Sequence, residues 1–222
     1  MSQEQWTAVD RYITDLIVPS DPILDAALAD AHAAGLPNIQ VAHAQGKLLA
    51  IFAQMIGARS ILEIGTLGGY STIWLARTLP ADGRLISLEI DPKHGEVARK
   101  NIARAGLDRI VEIRLGRAVE SLAKIAEEKL SPFDLVFIDA DKPSNTEYFQ
   151  WALKLTHPGS VIIVDNVVRH GQVVDASSTD DAVQGVRRFM DVLAAEKRVT
   201  ATAVQTVDVK GYDGFAIMIV NK

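Results

Sequence analysis

Apolar positions in the first 57 residues recur at helical spacing, whereas beyond Gly57 they condense into short runs separated by longer amphipathic stretches. Ser2 with Gln5 three residues on is a capping-box signature, and Trp6, Val9, Ile13, Leu16 and Ile17 then form a helical stripe. Asp21-Pro22 sets a cap residue before a proline suited to the first helical position. Leu24, Ala27, Leu28 and Ala31 continue that second helix, which Gly35 should end, with Pro37 just beyond. A third helical pattern covers 43–56. Residues 1–57 therefore read as a helical N-terminal extension.

The apolar runs rich in Ile, Leu and Val are 60–65, 84–90, 110–115, 134–140 and 161–165. Between them lie helical patterns at 70–79, 92–105, 118–128 and 145–156. Near-continuous apolar strands alternating with helices predict a parallel sheet covered on both faces. A helix over 181–196 precedes two strand-like runs, 199–209 and 215–220, separated only by Lys210 to Gly214, which predicts an antiparallel hairpin. Residues 58–222 thus read as a doubly wound α/β core. With no repeat, linker or low-complexity tract, 1–222 is expected to form one domain.

Composition narrows the chemistry. The 222 residues include no cysteine, which excludes disulfides, thiolate zinc sites, iron–sulfur clusters and cysteine nucleophiles. With 23 Lys+Arg against 28 Asp+Glu, the net charge is −5 and the basic residues are scattered, so no nucleic-acid surface is expected. The N-terminus lacks a signal-peptide pattern, and no window approaches the ~20 apolar residues of a membrane span. The expectation is a soluble, cytoplasmic protein.

Strand 60–65 runs into Gly65-Thr66-Leu67-Gly68-Gly69. Glycines there permit a tight turn and close approach of a ligand to the backbone. The spacing G-x-x-G-G differs from the G-x-G-x-x-G of dinucleotide folds. Glu89 ends the next strand, where a ribose diol would lie if a nucleoside crossed the strand ends. Together these favour a nucleoside cofactor, with nicotinamide dinucleotide and S-adenosylmethionine both open. Strands 134–140 and 161–165 carry Asp139 and Asp165-Asn166 at their carboxyl ends. One such aspartate most often just ends its strand. Two on successive strands, joined by Asn166 and Lys142, suit an oxygen-ligated Mg²⁺, Mn²⁺ or Ca²⁺, because close carboxylates repel unless a cation lies between them. A lysine amine is a poor base in neutral water, but a neighbouring cation favours its neutral form, so Lys142 is a candidate base. The plainer alternative pairs it with Asp139 or Asp141.

The segments Leu62-Glu63-Ile64-Gly65-Thr66-Leu67-Gly68-Gly69-Tyr70-Ser71, Leu88-Glu89-Ile90-Asp91, Phe137-Ile138-Asp139-Ala140-Asp141-Lys142 and Asp165-Asn166 resemble the cation-dependent O-methyltransferases of the catechol and caffeoyl-CoA type. The resemblance extends from about Ile39 to the C-terminus. It implies a Rossmann-like sheet of seven strands with the last antiparallel. It implies S-adenosylmethionine, bound by Val41, Glu63, Gly65, Thr66 and Ser71 at its methionine part, by Glu89 at the ribose and by Ala118 near the adenine. Asp139, Asp165 and Asn166 match the family's metal ligands, Mg²⁺ above all. Lys142 matches its general base, with Asp139 beside it. The implied reaction moves a methyl group to a hydroxyl of a catechol-like or hydroxycinnamoyl-type small molecule. A homodimer with a phenolic substrate is implied as well. The mammalian catechol branch has an aromatic pair where this chain has Ala140 and Asp141, and a tyrosine at Leu67.

Two rivals remain from the residues themselves. A nicotinamide-dependent reductase would call for G-x-G-x-x-G, which is absent, and a non-catalytic S-adenosylmethionine- or metal-binding protein would bind without turnover. His32, His43, His94, His157 and His170 share no metal-ligand spacing. His170, four residues after Asn166, reads as a surface-loop residue, and Tyr148, Phe149 and Trp151 read as packing residues.

Overall fold

The computed structural model describes residues 2–18 and 21–222. Three helices open the chain: α1 (Gln3–Ile17), α2 (Pro22–Ala33) and α3 (His43–Met55). Their starts follow local chemistry. Ser2 Oγ accepts from the Gln5 amide at 3.4 Å, and Asp21 Oδ1 accepts from Ile23 N at 2.9 Å and Leu24 N at 3.2 Å. The alternating part follows as β1 (Ser60–Ile64), α4 (Tyr70–Ala76), β2 (Arg84–Glu89), α5 (Pro92–Arg104), β3 (Val111–Leu115), α6 (Ala118–Glu127), β4 (Phe133–Ile138), α7 (Asn145–Leu155) and β5 (Thr156–Asp165). It closes with α8 (Asp181–Ala195), β6 (Val199–Asp208) and β7 (Gly211–Val220).

The seven strands form one sheet in the order β3-β2-β1-β4-β5-β7-β6. Strands β1 to β5 run parallel, and β7 is antiparallel to both β5 and β6. The Rossmann-like fold with an antiparallel last strand is therefore as expected. Most element ends fall within a residue or two of the sequence reading, but three differ more. Helix α4 ends at Ala76 rather than 79. Strand β5 begins at Thr156, not 161, because Thr156 already pairs with Phe133 across a register shift. Strand β7 begins at Gly211, not 215: Asp208 pairs with Gly211, leaving a two-residue turn instead of a five-residue loop.

Successive side chains on each parallel strand point to opposite faces, and each face has its own core. Leu62, Ile64, Val136, Ile138, Ile162 and Val164 pack with Leu122, Phe149 and Phe189 of α6, α7 and α8. Ile61, Leu135, Phe137 and Ile163 pack with Leu24, Leu49, Ile73 and Ile102 of α2 to α5. Two of the three N-terminal helices are thus part of the sheet's cover. Helix α1 differs. It rests on β6 and α3, with Gln3 Nε2 donating to the Asp208 carbonyl at 3.0 Å, while Val9, Tyr12, Ile13, Leu16 and Ile17 stay exposed. Among the described residues, no helix is long and apolar enough to cross a membrane.

The sheet order reverses between β1 and β4: the chain runs outward from β1 through β2 to β3 and then crosses back to β4. In open α/β sheets the crevice at the carboxyl ends of the strands at such a point is where ligands bind.

Candidate functional site

The β1–α4 turn is shaped by contact with the end of β4. Gly65 has φ +101°, and a Cβ there would stand 2.0 Å from the Asp139 carbonyl oxygen. Only glycine permits that approach, and it brings the turn and Asp139 together. On the other side, Glu89 Oε2 accepts from Thr66 N at 3.2 Å and Leu67 N at 2.8 Å, while Oε1 accepts from Ile90 N and Asp91 N, each at 2.9 Å. Four backbone amides therefore fix this buried carboxylate and balance its charge.

Glu63 is fully buried one layer below. It accepts from Ser71 Oγ at 2.6 Å, Thr72 Oγ1 at 2.5 Å and Ser87 Oγ at 2.6 Å. Burial pushes its carboxyl up to about 7, against the pull of those three hydroxyls. It ties α4 to β1 and β2.

A cavity of about 620 Å³ opens over this turn. Of the expected cofactor residues, Val41, Gly65, Thr66, Ser71, Glu89, Ala118 and Asp139 line it. Glu63 does not; it supports Ser71 from behind. Tyr148 also lines the cavity and donates to Asp141 Oδ1 at 2.5 Å, whereas Phe149 beside it is core. Packing therefore accounts for Phe149 and for much of Tyr148, which is 5% exposed in the same core and also presents itself to the cavity.

A second cavity of about 240 Å³ adjoins the first and reaches the β6–β7 hairpin. Asp139, Asn166 and Arg169 line both, and Asp165 lines only the second. Asp139 and Asp165 end neighbouring paired strands, and Asn166 follows with φ +57°. Asp165 is 3% exposed; it accepts from Asn166 N at 2.8 Å and from Gln45 Nε2 at 2.6 Å. Burial, and after it the charge of Asp139, holds the Asp165 carboxyl well above the usual carboxylate range.

Lys142 is 8% exposed and its Nζ lies 2.9 Å from Asp139 Oδ1, so the plainer pairing read from sequence is present. The 3-10 turn Lys142–Ser144 is clamped by α8: a Cβ on Gly185 would stand 2.4 Å from the Lys142 carbonyl oxygen. The lysine's backbone is therefore held tightly while its amine faces the cavity.

The donors around Asp165 suit a hard cation. Among the described residues, no group of three or more His, Cys, Asp or Glu side chains could hold a metal ion. The convergent set is instead two carboxylates and one amide, all oxygen donors. Mg²⁺ commonly uses one or two carboxylates and keeps several positions for water or substrate. The mutual repulsion at Asp165 is what a cation there would relieve.

With the geometry in view, comparison with known proteins is decisive. A family model described as O-methyltransferase matches residues 20–216. The chain belongs to the O-methyltransferase family. A catechol O-methyltransferase of Niastella koreensis is 54% identical over 220 residues, covering 99% of this chain and 100% of that protein. One of Mycobacterium tuberculosis is 50% identical over 212 residues, covering 96% and 94%. An O-methyltransferase from Bacillus cereus, solved in complex with SAH, superposes with a TM-score of 0.98 at 55% identity, covering 99% and 100%. TomG of Streptomyces achromogenes, an O-methyltransferase involved in tomaymycin synthesis and solved with SAM, superposes with a TM-score of 0.96 at 49% identity over the whole of both chains.

Several residues at this O-methyltransferase site carry no signal in the sequence. Gln45 reaches Asp165 across 120 positions from a helix that reads as packing. His94 Nδ1 lies 3.6 Å from Glu89 Oε1. Arg169 and His170 sit in a turn with φ +54° and +55°, and both line the second cavity. His170 is exposed in this turn, as the surface-loop reading expected, and its four-residue offset from Asn166 also brings it to the edge of the second cavity.

Proposed function

We propose that this O-methyltransferase uses S-adenosylmethionine and a divalent cation, Mg²⁺ in the first place, to methylate a hydroxyl of a catechol-like or hydroxycinnamoyl-type small molecule. The observation that carries this reading is the convergence of Asp139, Asp165 and Asn166 at the junction of two cavities, with the Lys142 amine beside them. One cavity is the size of a nucleoside ligand's site, and the other is small enough for a single aromatic ring.

The residues divide the work. Glu89, held rigidly by four amides at the cavity wall, would face the ribose hydroxyls and accept from them by sharing its oxygens with those amides. Gly65, Thr66, Ser71 and Val41 surround the methionine part, and Ala118 borders the adenine. Glu63 holds Ser71 in position. When bound, S-adenosylmethionine supplies an electrophilic methyl group on sulfur. Asp139, Asp165 and Asn166 would hold the cation, which when bound supplies Lewis acidity that lowers the pKa of an adjacent hydroxyl. Lys142 Nζ, once it has shed its own proton to become the neutral amine, would take the hydroxyl proton, and Asp139 would stabilise the ammonium that results. Holding acceptor oxygen and methyl group in line is itself worth roughly 7–11 kcal/mol for a well-oriented reaction.

The whole chain serves as one methyltransferase domain, cytoplasmic and homodimeric. The exposed stripe Val9, Tyr12, Leu16 and Ile17 on α1 is the face a dimer would bury. Incubation with methyl-labelled S-adenosylmethionine, Mg²⁺ and either catechol, caffeate or caffeoyl-CoA should label the aromatic product, as read by mass spectrometry. Label in none of the three, with NADH rather than S-adenosylmethionine raising the melting temperature, would favour the reductase reading instead.

A further inference from the structure

Arg169 has donors that the protein does not use. Its side chain is 28% exposed and lines both cavities, three residues beyond Asn166 in the same turn. Its Nε is buried without a hydrogen-bond partner. Among the described residues its guanidinium donates no hydrogen bond; the one ion pair is long, with Nη1 3.8 Å from Asp213 Oδ2. Asp213 Oδ1 accepts from Val168 N at 3.0 Å, Arg169 N at 2.9 Å and Gly214 N at 3.0 Å, while its Oδ2, the atom that faces Arg169, stays beyond hydrogen-bond distance of the guanidinium. Those contacts fix the Arg169 backbone in its left-handed conformation, φ +54°, and so fix where the side chain starts.

The other cations near the junction are engaged. Lys210 Nζ donates to the Asn38 carbonyl at 3.1 Å and to Asn38 Oδ1 at 2.9 Å, and Lys142 faces Asp139 at 2.9 Å. A guanidinium is a planar fork of five donors whose natural complement is a carboxylate bound through two parallel hydrogen bonds. Leaving such a group short of acceptors at the wall of a binding cavity is costly unless a ligand completes it.

We propose that Arg169 is a specificity-determining residue that binds a carboxylate carried by the acceptor, so that the preferred substrate is an aromatic diol bearing an acidic group. This rests on the catechol reading above and adds the acidic group to it. The turn then does two jobs: Asn166 faces the end of the acceptor carrying the hydroxyls, and Arg169 faces the acid.

The test compares kcat/KM for 3,4-dihydroxybenzoate, catechol and dopamine, with Mg²⁺ and saturating S-adenosylmethionine, in the wild type, Arg169→Met and Arg169→Lys. The wild type should prefer the benzoate over catechol and dopamine. In Arg169→Met the benzoate-to-catechol ratio should fall about tenfold to a hundredfold, mostly through KM. Arg169→Lys, which keeps the charge but loses the fork, should fall between. Circular dichroism and melting temperature establish that both variants are folded. An unchanged ratio in Arg169→Met, or a wild-type preference for dopamine, overturns the inference while catechol turnover leaves the methyltransferase reading intact. Methylation of none of the three by the wild type overturns both.

Discussion

Glu89 and Asp165 are both buried carboxylates at strand ends, on opposite sides of the point where the sheet order reverses, yet they are treated in opposite ways. Glu89 is surrounded by four backbone amides. Asp165 has a like-charged neighbour, Asp139, set against the charge of Lys142, one backbone amide and one glutamine amide. A carboxylate saturated by fixed dipoles is a finished acceptor, ready for neutral hydroxyls. One left under-compensated beside a second carboxylate is a place for a cation. In the proposed function, the difference would separate a cofactor half, built by turns, from a chemical half, built by converging charges.

That contrast can be broken most forcefully at Asp165. Asp165→Ala should lower methyl transfer by at least about 100-fold, beyond the 10–100-fold typical of losing an outer partner of a metal ligand. Mg²⁺ affinity measured by calorimetry should fall with it, while S-adenosylmethionine still binds. Lys142→Met should come next, lowering kcat about 100-fold or more, as expected for loss of a general base, with little change in cofactor affinity by the same method. Glu89→Gln should act the other way round. It turns an amide nitrogen toward backbone donors, so cofactor affinity should weaken about tenfold while Mg²⁺ affinity is kept.

The smallest effect belongs to Glu63. Its folded-state carboxyl is pushed up to about 7 from an ordinary 4.5, so between those values the folded protein holds a proton that the unfolded chain has released. Its contribution is therefore full below about pH 4.5 and is lost as the pH rises through 7. Glu63→Gln should flatten the fall in melting temperature over that window without altering the Mg²⁺ dependence of the reaction.

Much of the fold was readable because periodicity and caps agreed locally. Asp21-Pro22 marks a helix start that the structure repeats. The central parallel strands β1, β2 and β4 are largely apolar and buried on both faces, which is how the sheet could be read. The start of β5 was not legible, because Thr156 to Gly159 are too polar to read as a strand and enter β5 only by pairing with β4. At the site, motifs at strand ends could be found because topology carries strand ends to one edge. Gln45 could not, since it reaches Asp165 from 120 positions away, and Tyr148 and Arg169, though near the motifs in sequence, belong to none of them. Glu63 erred in the other direction: it lies in the right motif but behind the cavity wall.

In the proposed function, everything turns on whether Asp139, Asp165 and Asn166 hold a cation that the reaction needs. The most direct test measures catechol methylation by the wild-type chain in EDTA and then on titration with Mg²⁺. Activity should be close to absent in EDTA and should return with saturable dependence on Mg²⁺. Unchanged turnover in excess EDTA would contradict the account.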